Sequence, residues 1–256
     1  MTAVAALTDR MVRDSLRDDL PFAIVAPAGN FVVFNFALRN VIDTGGMSYP
    51  QYLLPVIIIQ VMLLGALTTI DRAARDHGSD FGVRLRTLPI STSVPLMARM
   101  LYCLFRGALA LLAAIAVGYV FGFRMDGGLI YATAFAVLVL TLTLAVSLGA
   151  DATGTGIAGA GIAGAEMGSS GGASQLLLVP QLLLVMVSTG MAPVDAFPDW
   201  LHPFVGNQPV SQVTETLRGL AIGHVAVSNL ATSLAWCLGL LVVFGTLAVR
   251  MQKRTQ

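Results

Sequence analysis

Long uninterrupted apolar runs constrain this chain more than any other feature of its sequence. Leu129 to Leu148 carries no charged residue, and about 20 such residues cross the hydrocarbon core of a bilayer as a helix. Comparable runs occur at Pro21 to Val41, Tyr52 to Ile70, Met100 to Phe121, Gln175 to Met191 and Val227 to Val249. Backbone polar groups find no water in lipid, so a spanning segment must be a helix or part of a closed barrel. Barrel strands alternate apolar and polar residues, whereas these runs are continuously apolar. The expected fold is all-α: one polytopic membrane domain over residues 1–256 with six transmembrane helices. Composition agrees, with 56% apolar and 11% charged residues where soluble domains carry about a quarter charged.

A polar island separates the second and third runs. Asp71 to Pro89 (DRAARDHGSDFGVRLRTLP) holds Asp71, Arg72, Arg75, Asp76, Asp80, Arg84 and Arg86, seven of the chain's 15 basic and 14 acidic residues. Phe81, Leu85 and Leu88 recur at spacings of four and three, an apolar helical face flanked by charges able to pair across a polar groove. A merely solvated loop is the other reading. Gly78 and Gly82 oppose one continuous helix, so the expected element starts near Ser79 or Asp80 as cap and ends before Pro89. The first half reads as an extension of the second span. At the other extreme, residues 4 to 20 place Val4, Leu7, Met11, Leu16 and Leu20 near one face. That predicts an amphipathic helix over 1–20, lying on the membrane surface or simply solvated. These first residues are charged and lack an apolar core, so no cleavable signal peptide is expected.

Polar residues inside the runs face other helices or a cavity, because they are costly in hydrocarbon. Asn30, Phe34, Asn35 and Arg39 on the first span and Gln60 on the second are candidates to line a pathway. For Asn35 and Arg39, four apart on one face, interhelical hydrogen bonding is the competing reading. On the third span Arg99 marks one edge, Arg106 lies near enough to snorkel toward it, and Gly118 and Gly122 form a GxxxG. Thr141, Thr143 and Ser147 on the fourth span can bond back to their own helix. Residues 149–174 are low in complexity, with GIAGA repeated at Gly156 and Gly161, and are expected to form a glycine-rich linker. Their two G-x-G-x-x-G matches lack the flanking strand and helix that a dinucleotide site needs. Residues 192–223 contain four prolines, Trp200 and His202, too broken for a plain span. Short re-entrant outer helices suit them, with Trp200 and His202 at the interface.

With the N-terminus inside, the inner segments hold Arg10, Arg13, Arg17, Arg72, Arg75, Arg84, Arg86, Arg99, Arg250, Lys253 and Arg254. The outer ones hold Arg39, Arg124 and Arg218. This asymmetry predicts both termini and the polar island on the cytoplasmic side of the plasma membrane.

The chemistry in the sequence is sparse. No G-x-x-x-x-G-K-[ST] phosphate loop and no H-E-x-x-H occurs, and His77, His202 and His224 are too scattered for a metal site. No basic patch fits a nucleic acid. Cys103 and Cys237 both lie in apolar runs and read as small core residues. Ser169 and Ser170 have no histidine placed to activate them. The carboxylates read as loop or span-end residues, which weighs against an ion-coupled carrier. Catalytic and metal residues are therefore expected to be none, and an energy source must come from outside.

Six spans, the amphipathic N-terminal helix, a charged loop ending in LRTLPIS and the broken segment before the last span together resemble a type-2 ABC exporter permease. The segment Ser188 to Gly223 is similar to the actinobacterial daunorubicin- and doxorubicin-resistance branch, in the order Pro-x-Trp (Pro198), His-Pro-Phe-Val (His202), Gln-Pro-Val-Ser (Gln208) and Arg-Gly (Arg218). The glycine-rich stretch from Gly154 to Gly172 departs from that pattern. The resemblance implies a non-catalytic permease that exports an amphipathic drug or a cell-envelope lipid. It implies two copies of a nucleotide-binding ATPase subunit that carry ATP and Mg, and a second, related six-span permease. It also places the ATPase contact at Arg72, Arg75, Asp76, Asp80, Phe81, Arg84, Leu85 and Leu88, in a cytoplasmic coupling loop over 71–93. Trp200, His202, Phe204 and Gln208 become the outer gate, and Asn30, Phe34, Asn35, Arg39 and Gln60 the substrate pathway. A stand-alone secondary transporter and an intramembrane lipid-modifying enzyme are the alternatives.

Overall fold

A computed structural model describes residues 3–17, 19–39, 46–78, 91, 93–159 and 172–254. These residues form nine α-helices: α1 (Ala3–Ser15), α2 (Asp19–Leu38), α3 (Tyr49–Gly78), α4 (Ser93–Val120), α5 (Gly128–Gly159), α6 (Gly172–Met186), α7 (His202–Asn207), α8 (Pro209–Ile222) and α9 (Val227–Arg254). Two 3-10 turns, Val194–Ala196 and Asp199–Leu201, precede α7. Among the described residues there is no strand, and five helices (α2, α3, α4, α5 and α9) are long and apolar enough to cross a membrane. The described residues are thus all-helical in their regular structure and have the character of a polytopic membrane protein. The fifth apolar run of the sequence is α6, whose apolar stretch Leu177–Met186 is shorter than a span.

α3 is the central element. In its most apolar window 89% of residues are buried, against 17% for α9, so α3 is wrapped by protein and α9 is peripheral. Leu53, Leu54, Ile57, Ile58 and Ile59 are enclosed by Phe31 of α2, Ala114 of α4, Phe135 and Val139 of α5 and Leu217 of α8. Lipid tails are as apolar as leucine, so such helices associate through close packing and polar contacts and not through escape from water. Small residues supply the closeness. A Cβ on Gly118 would lie 2.7 Å from Leu54 Cδ2, and one on Gly149 would lie 2.9 Å from the Phe244 ring.

The helix ends follow local chemistry. Gly122 has φ +99°; Phe123 N–H donates to Gly118 O at 2.8 Å and Gly122 N–H to Tyr119 O at 3.3 Å, a Schellman cap. The expected GxxxG therefore divides its labour: Gly118 packs and Gly122 terminates α4. At α1, Val4, Leu7, Thr8, Met11, Val12 and Ser15 are the less exposed positions. That face rests on α4, with Thr8 Oγ1 donating to Ala98 O at 3.4 Å. Its outer face carries the i,i+4 pairs Arg10–Asp14 and Arg13–Asp9.

One boundary agrees with expectation and one differs. α3 continues eight residues beyond Ile70 into the polar island, as the sequence predicts, and is described as far as Gly78. α5 continues through Gly149 to Gly159, the first part of the expected linker. Glycine there serves close packing, since a Cβ on Gly154 would collide with the backbone carbonyl of Ile70. Residues 160–171 of the linker lie outside the described residues.

Candidate functional site

Two polar clusters occupy opposite ends of the bundle. At the end carrying α1, Asp19 opens α2 and faces α4, where Tyr102 Oη donates to its Oδ2 at 2.6 Å and Arg106 Nε donates to its Oδ1 at 2.9 Å. Arg72 of α3 lies 3.6 Å from the same carboxylate, donates to Ser15 Oγ at 2.9 Å, and stacks 4.4 Å from the centre of the Tyr102 ring. Arg106 reaches Asp19 by crossing Gly65 of α3, where a Cβ would overlap its guanidinium. It is thus paired inside the protein and does not snorkel: Gly65 leaves it a passage and Asp19 takes its charge.

A second ion group lies beside the first. Arg99 of α4 is 3.3 Å from Asp76 Oδ2 on α3 and 2.7 Å from Asp151 Oδ1 on α5. The Arg99–Asp151 contact is ionic, its N–H not directed at the oxygen. Asp151 is 1% exposed. The expectation that every carboxylate falls in a loop or at a span end is corrected here. Asp151 is buried within α5, in a glycine-rich stretch that reads as linker. Asp19, Asp76 and Asp151 balance Arg72, Arg99 and Arg106, so the cluster is neutral, as burial in a low dielectric requires. Alongside, Ser174 N–H at the start of α6 donates to Asp71 Oδ1 at 3.0 Å.

At the opposite end Arg218 of α8 is the hub. Its Nε donates to Tyr52 O (3.1 Å), Nη1 to Thr189 O (3.1 Å) and Glu215 Oε1 (2.8 Å), and Nη2 to Gly190 O (3.0 Å). Its plane stacks on the Tyr52 ring at 3.6 Å. Gln208 Nε2 donates to Val187 O and to Ser211 Oγ, and Ser211 Oγ accepts from Thr189 N–H at 3.0 Å. α8 is thereby fastened to the start of α3 and to the chain leaving α6. Lysine offers no planar fork, so Arg218→Lys keeps the charge and loses most of these bonds. The expected result is a lower thermal midpoint in detergent, equivalent to about 2 kcal/mol. An unchanged midpoint would show that the fork is dispensable.

The expected site residues scatter over this frame. Asp80, Phe81, Arg84, Leu85 and Leu88 lie outside the described residues. Arg72 and Asp76 turn toward helices of their own chain, while Arg75 is exposed. Asn35 is buried with Oδ1 unpartnered, Asn30 and Phe34 are partly buried, and Arg39 is exposed just past α2. Gln60 is buried in mid-α3 with Oε1 unpartnered. Trp200 and Phe204 are exposed, His202 bonds the Phe197 carbonyl at 2.8 Å, and Gln208 is buried. Asp19, Arg99, Arg106, Asp151 and Arg218 were not expected as a set. The available signal was that an arginine inside an apolar run needs a partner.

No family model matches the chain. Curated proteins do. The probable doxorubicin resistance ABC transporter permease protein DrrC of Mycobacterium tuberculosis is 27% identical over 248 residues, 92% of this chain and 83% of that protein. The chain is a homologue of the drug-resistance ABC transporter permeases. DrrB of the same organism, a doxorubicin resistance ABC transporter permease protein, is 31% identical over 199 residues, 75% of this chain and 65% of its own length. DrrB1 of Streptomyces coeruleorubidus, a daunorubicin resistance ABC transporter permease protein, is 24% identical over 231 residues, 90% of this chain and 78% of that protein.

Proposed function

We propose that this chain is the membrane-spanning permease subunit of an ATP-driven ABC exporter that moves an amphipathic drug or a cell-envelope lipid out of the cytoplasmic membrane. The observation that carries this reading is its homology to the permeases DrrC and DrrB. The sequence supports it by holding no phosphate loop of its own. In this reading α6 completes six spans, both termini and the α1 end face the cytoplasm, and the segment around α7 and α8 covers the outer end. ATP and Mg bind two copies of a partner ATPase, and a related six-span chain completes the transporter. Arg75 and residues 79–90 meet the ATPase, in a coupling loop spanning 71–93. Asn30, Phe34, Asn35, Arg39 and Gln60 border the substrate pathway, with Trp200, His202, Phe204 and Gln208 at its outer gate. The residues between 149 and 174 beyond α5 link to α6.

The ion cluster gives this reading a means of transmission. α3 enters the 79–90 segment directly, and its Asp76 and Arg72 connect it to Arg99 on α4 and to Asp19 on α2. Arg99 passes the connection to Asp151 on α5. A push on the segment then displaces four helices together. The test is co-purification from native membranes in mild detergent, in which a stoichiometric ATPase subunit is expected; its absence would end the exporter reading. In the assembled complex, Phe81→Ala and Arg84→Glu are each expected to lower stimulated ATP hydrolysis while the chain stays membrane-inserted. Unchanged hydrolysis in both would remove the assigned contact.

A further inference from the structure

α6 packs along α3, and two contacts set their register. Ser174 N–H bonds Asp71 Oδ1 at one end, and Gly190 lies against Val56 at the other. The helices run antiparallel, so position 60 lies level with position 185, and Gln181 stands one turn away, about 6 Å along the axis. Val56, Gln60, Leu64, Leu67 and Asp71 recur at helical spacing on the α3 side of this seam, and Leu64 and Leu178 share one core cluster. On α6, Ser174, Leu178, Gln181, Leu182, Leu184 and Val185 are the less exposed residues, while Leu177, Val179, Pro180 and Leu183 are exposed. Both glutamines therefore belong to the seam.

Their amides are incomplete in complementary ways. Gln60 is 8% exposed, and its Oε1 has no donor. Gln181 Nε2 is buried and has no acceptor. An unpaired acceptor and an unpaired donor in a low-dielectric interior are both costly, the more so where no water reaches them. The charged side chain identified on this seam, Asp71, is three turns from Gln60 and accepts from Ser174. Pro180, beside Gln181, removes one helical hydrogen bond from α6 and loosens it at this level.

We propose that the α3–α6 seam holds a subsite for a neutral hydroxyl group of the transported amphiphile. The ligand O–H donates to Gln60 Oε1, and the same oxygen accepts from Gln181 Nε2. A cationic group would lack a counter-charge here, and an ether would satisfy Gln181 alone. The proposal rests on the exporter reading, and it adds Gln181 and the chemical class of the bound group. The hydroxyl can belong to a chain-bearing lipid or to a planar aromatic drug, and the two sources are separable by scaffold.

The test uses the protein as purified from native membranes, with whatever subunits accompany it, in nanodiscs without ATP, with fluorescence binding of 16-(1-pyrenyl)hexadecanol against its methyl ether. 2-Hydroxyanthraquinone and its methyl ether form the planar pair. In the scaffold that fits, the alcohol is expected to bind about tenfold tighter than the ether, the value of one hydrogen bond. Gln60→Met should abolish that preference with ether binding retained. Gln181→Met should weaken alcohol and ether alike, because both accept from it, and it supplies the test if Gln60→Met does not assemble. Equal binding of alcohol and ether in both scaffolds, no binding of any probe, or a preference that survives Gln60→Met would overturn the subsite. ATP hydrolysis, read separately, distinguishes the two failures. A hydroxyl preference with no associated ATPase keeps the subsite and removes the exporter reading; stimulated hydrolysis without the preference does the reverse.

Discussion

Arg99→Met is expected to destabilise the protein by about 3–5 kcal/mol, the cost of stranding one member of a buried ion pair. The side chain of Arg99 is 9% exposed and stands between Asp76 and Asp151. Removing its guanidinium leaves Asp151 buried without a counter-charge and brings the repulsion of Asp76 to bear on it. Asp151→Leu should do less harm, because Arg99 keeps Asp76 at 3.3 Å. The double variant Arg99→Met/Asp151→Leu should recover most of the loss, since a buried pair replaced by apolar side chains is often neutral or better. Thermal unfolding midpoints in detergent, with the yield of monodisperse protein, provide the measurement. A double variant no more stable than Arg99→Met alone would mean that Arg99 is needed for something other than Asp151.

The long helices were legible because continuous apolar runs admit one solution in lipid. The broken segment before α9 was legible because its prolines interrupt any long helix; Pro209 opens α8 at a position where proline fits. The ion cluster was not legible, since Asp19 and Arg106, or Arg99 and Asp151, are brought together by tertiary packing and not by spacing along one helix. Arg106 reads as a snorkelling residue until Gly65 of a neighbouring helix is seen beneath it. Of the expected ATPase contact, Arg75 alone is both described and turned outward, because Arg72 and Asp76 are engaged within the bundle. Burial of Gln60 was foreseeable from its place in an apolar run, whereas its relation to Gln181 depends on the α3–α6 register.

Gly154→Ala separates the two readings of the glycine-rich stretch. In a solvated linker the change would be neutral or stabilise by about 0.4–1 kcal/mol, by narrowing the unfolded ensemble. In α5 the added methyl meets the Ile70 carbonyl and comes within 2.9 Å of Ala73 Cβ. Neither obstacle is a side chain that can swing away, so α5 must withdraw from α3. Asp151 lies one turn earlier on α5, and withdrawal carries it off the Arg99 that α4 holds. Alanine recovers about 1 kcal/mol of helix propensity, and overpacking against backbone exceeds it, for an expected net loss of about 3 kcal/mol. Gly156→Ala is the internal control: its Cβ would meet only Met251 Cε, at 3.4 Å, so the propensity gain should survive and the midpoint should hold or rise. The two alanine variants should therefore move the detergent midpoint apart. If they move it together, the close approach of α5 to α3 is not what the glycine at 154 provides.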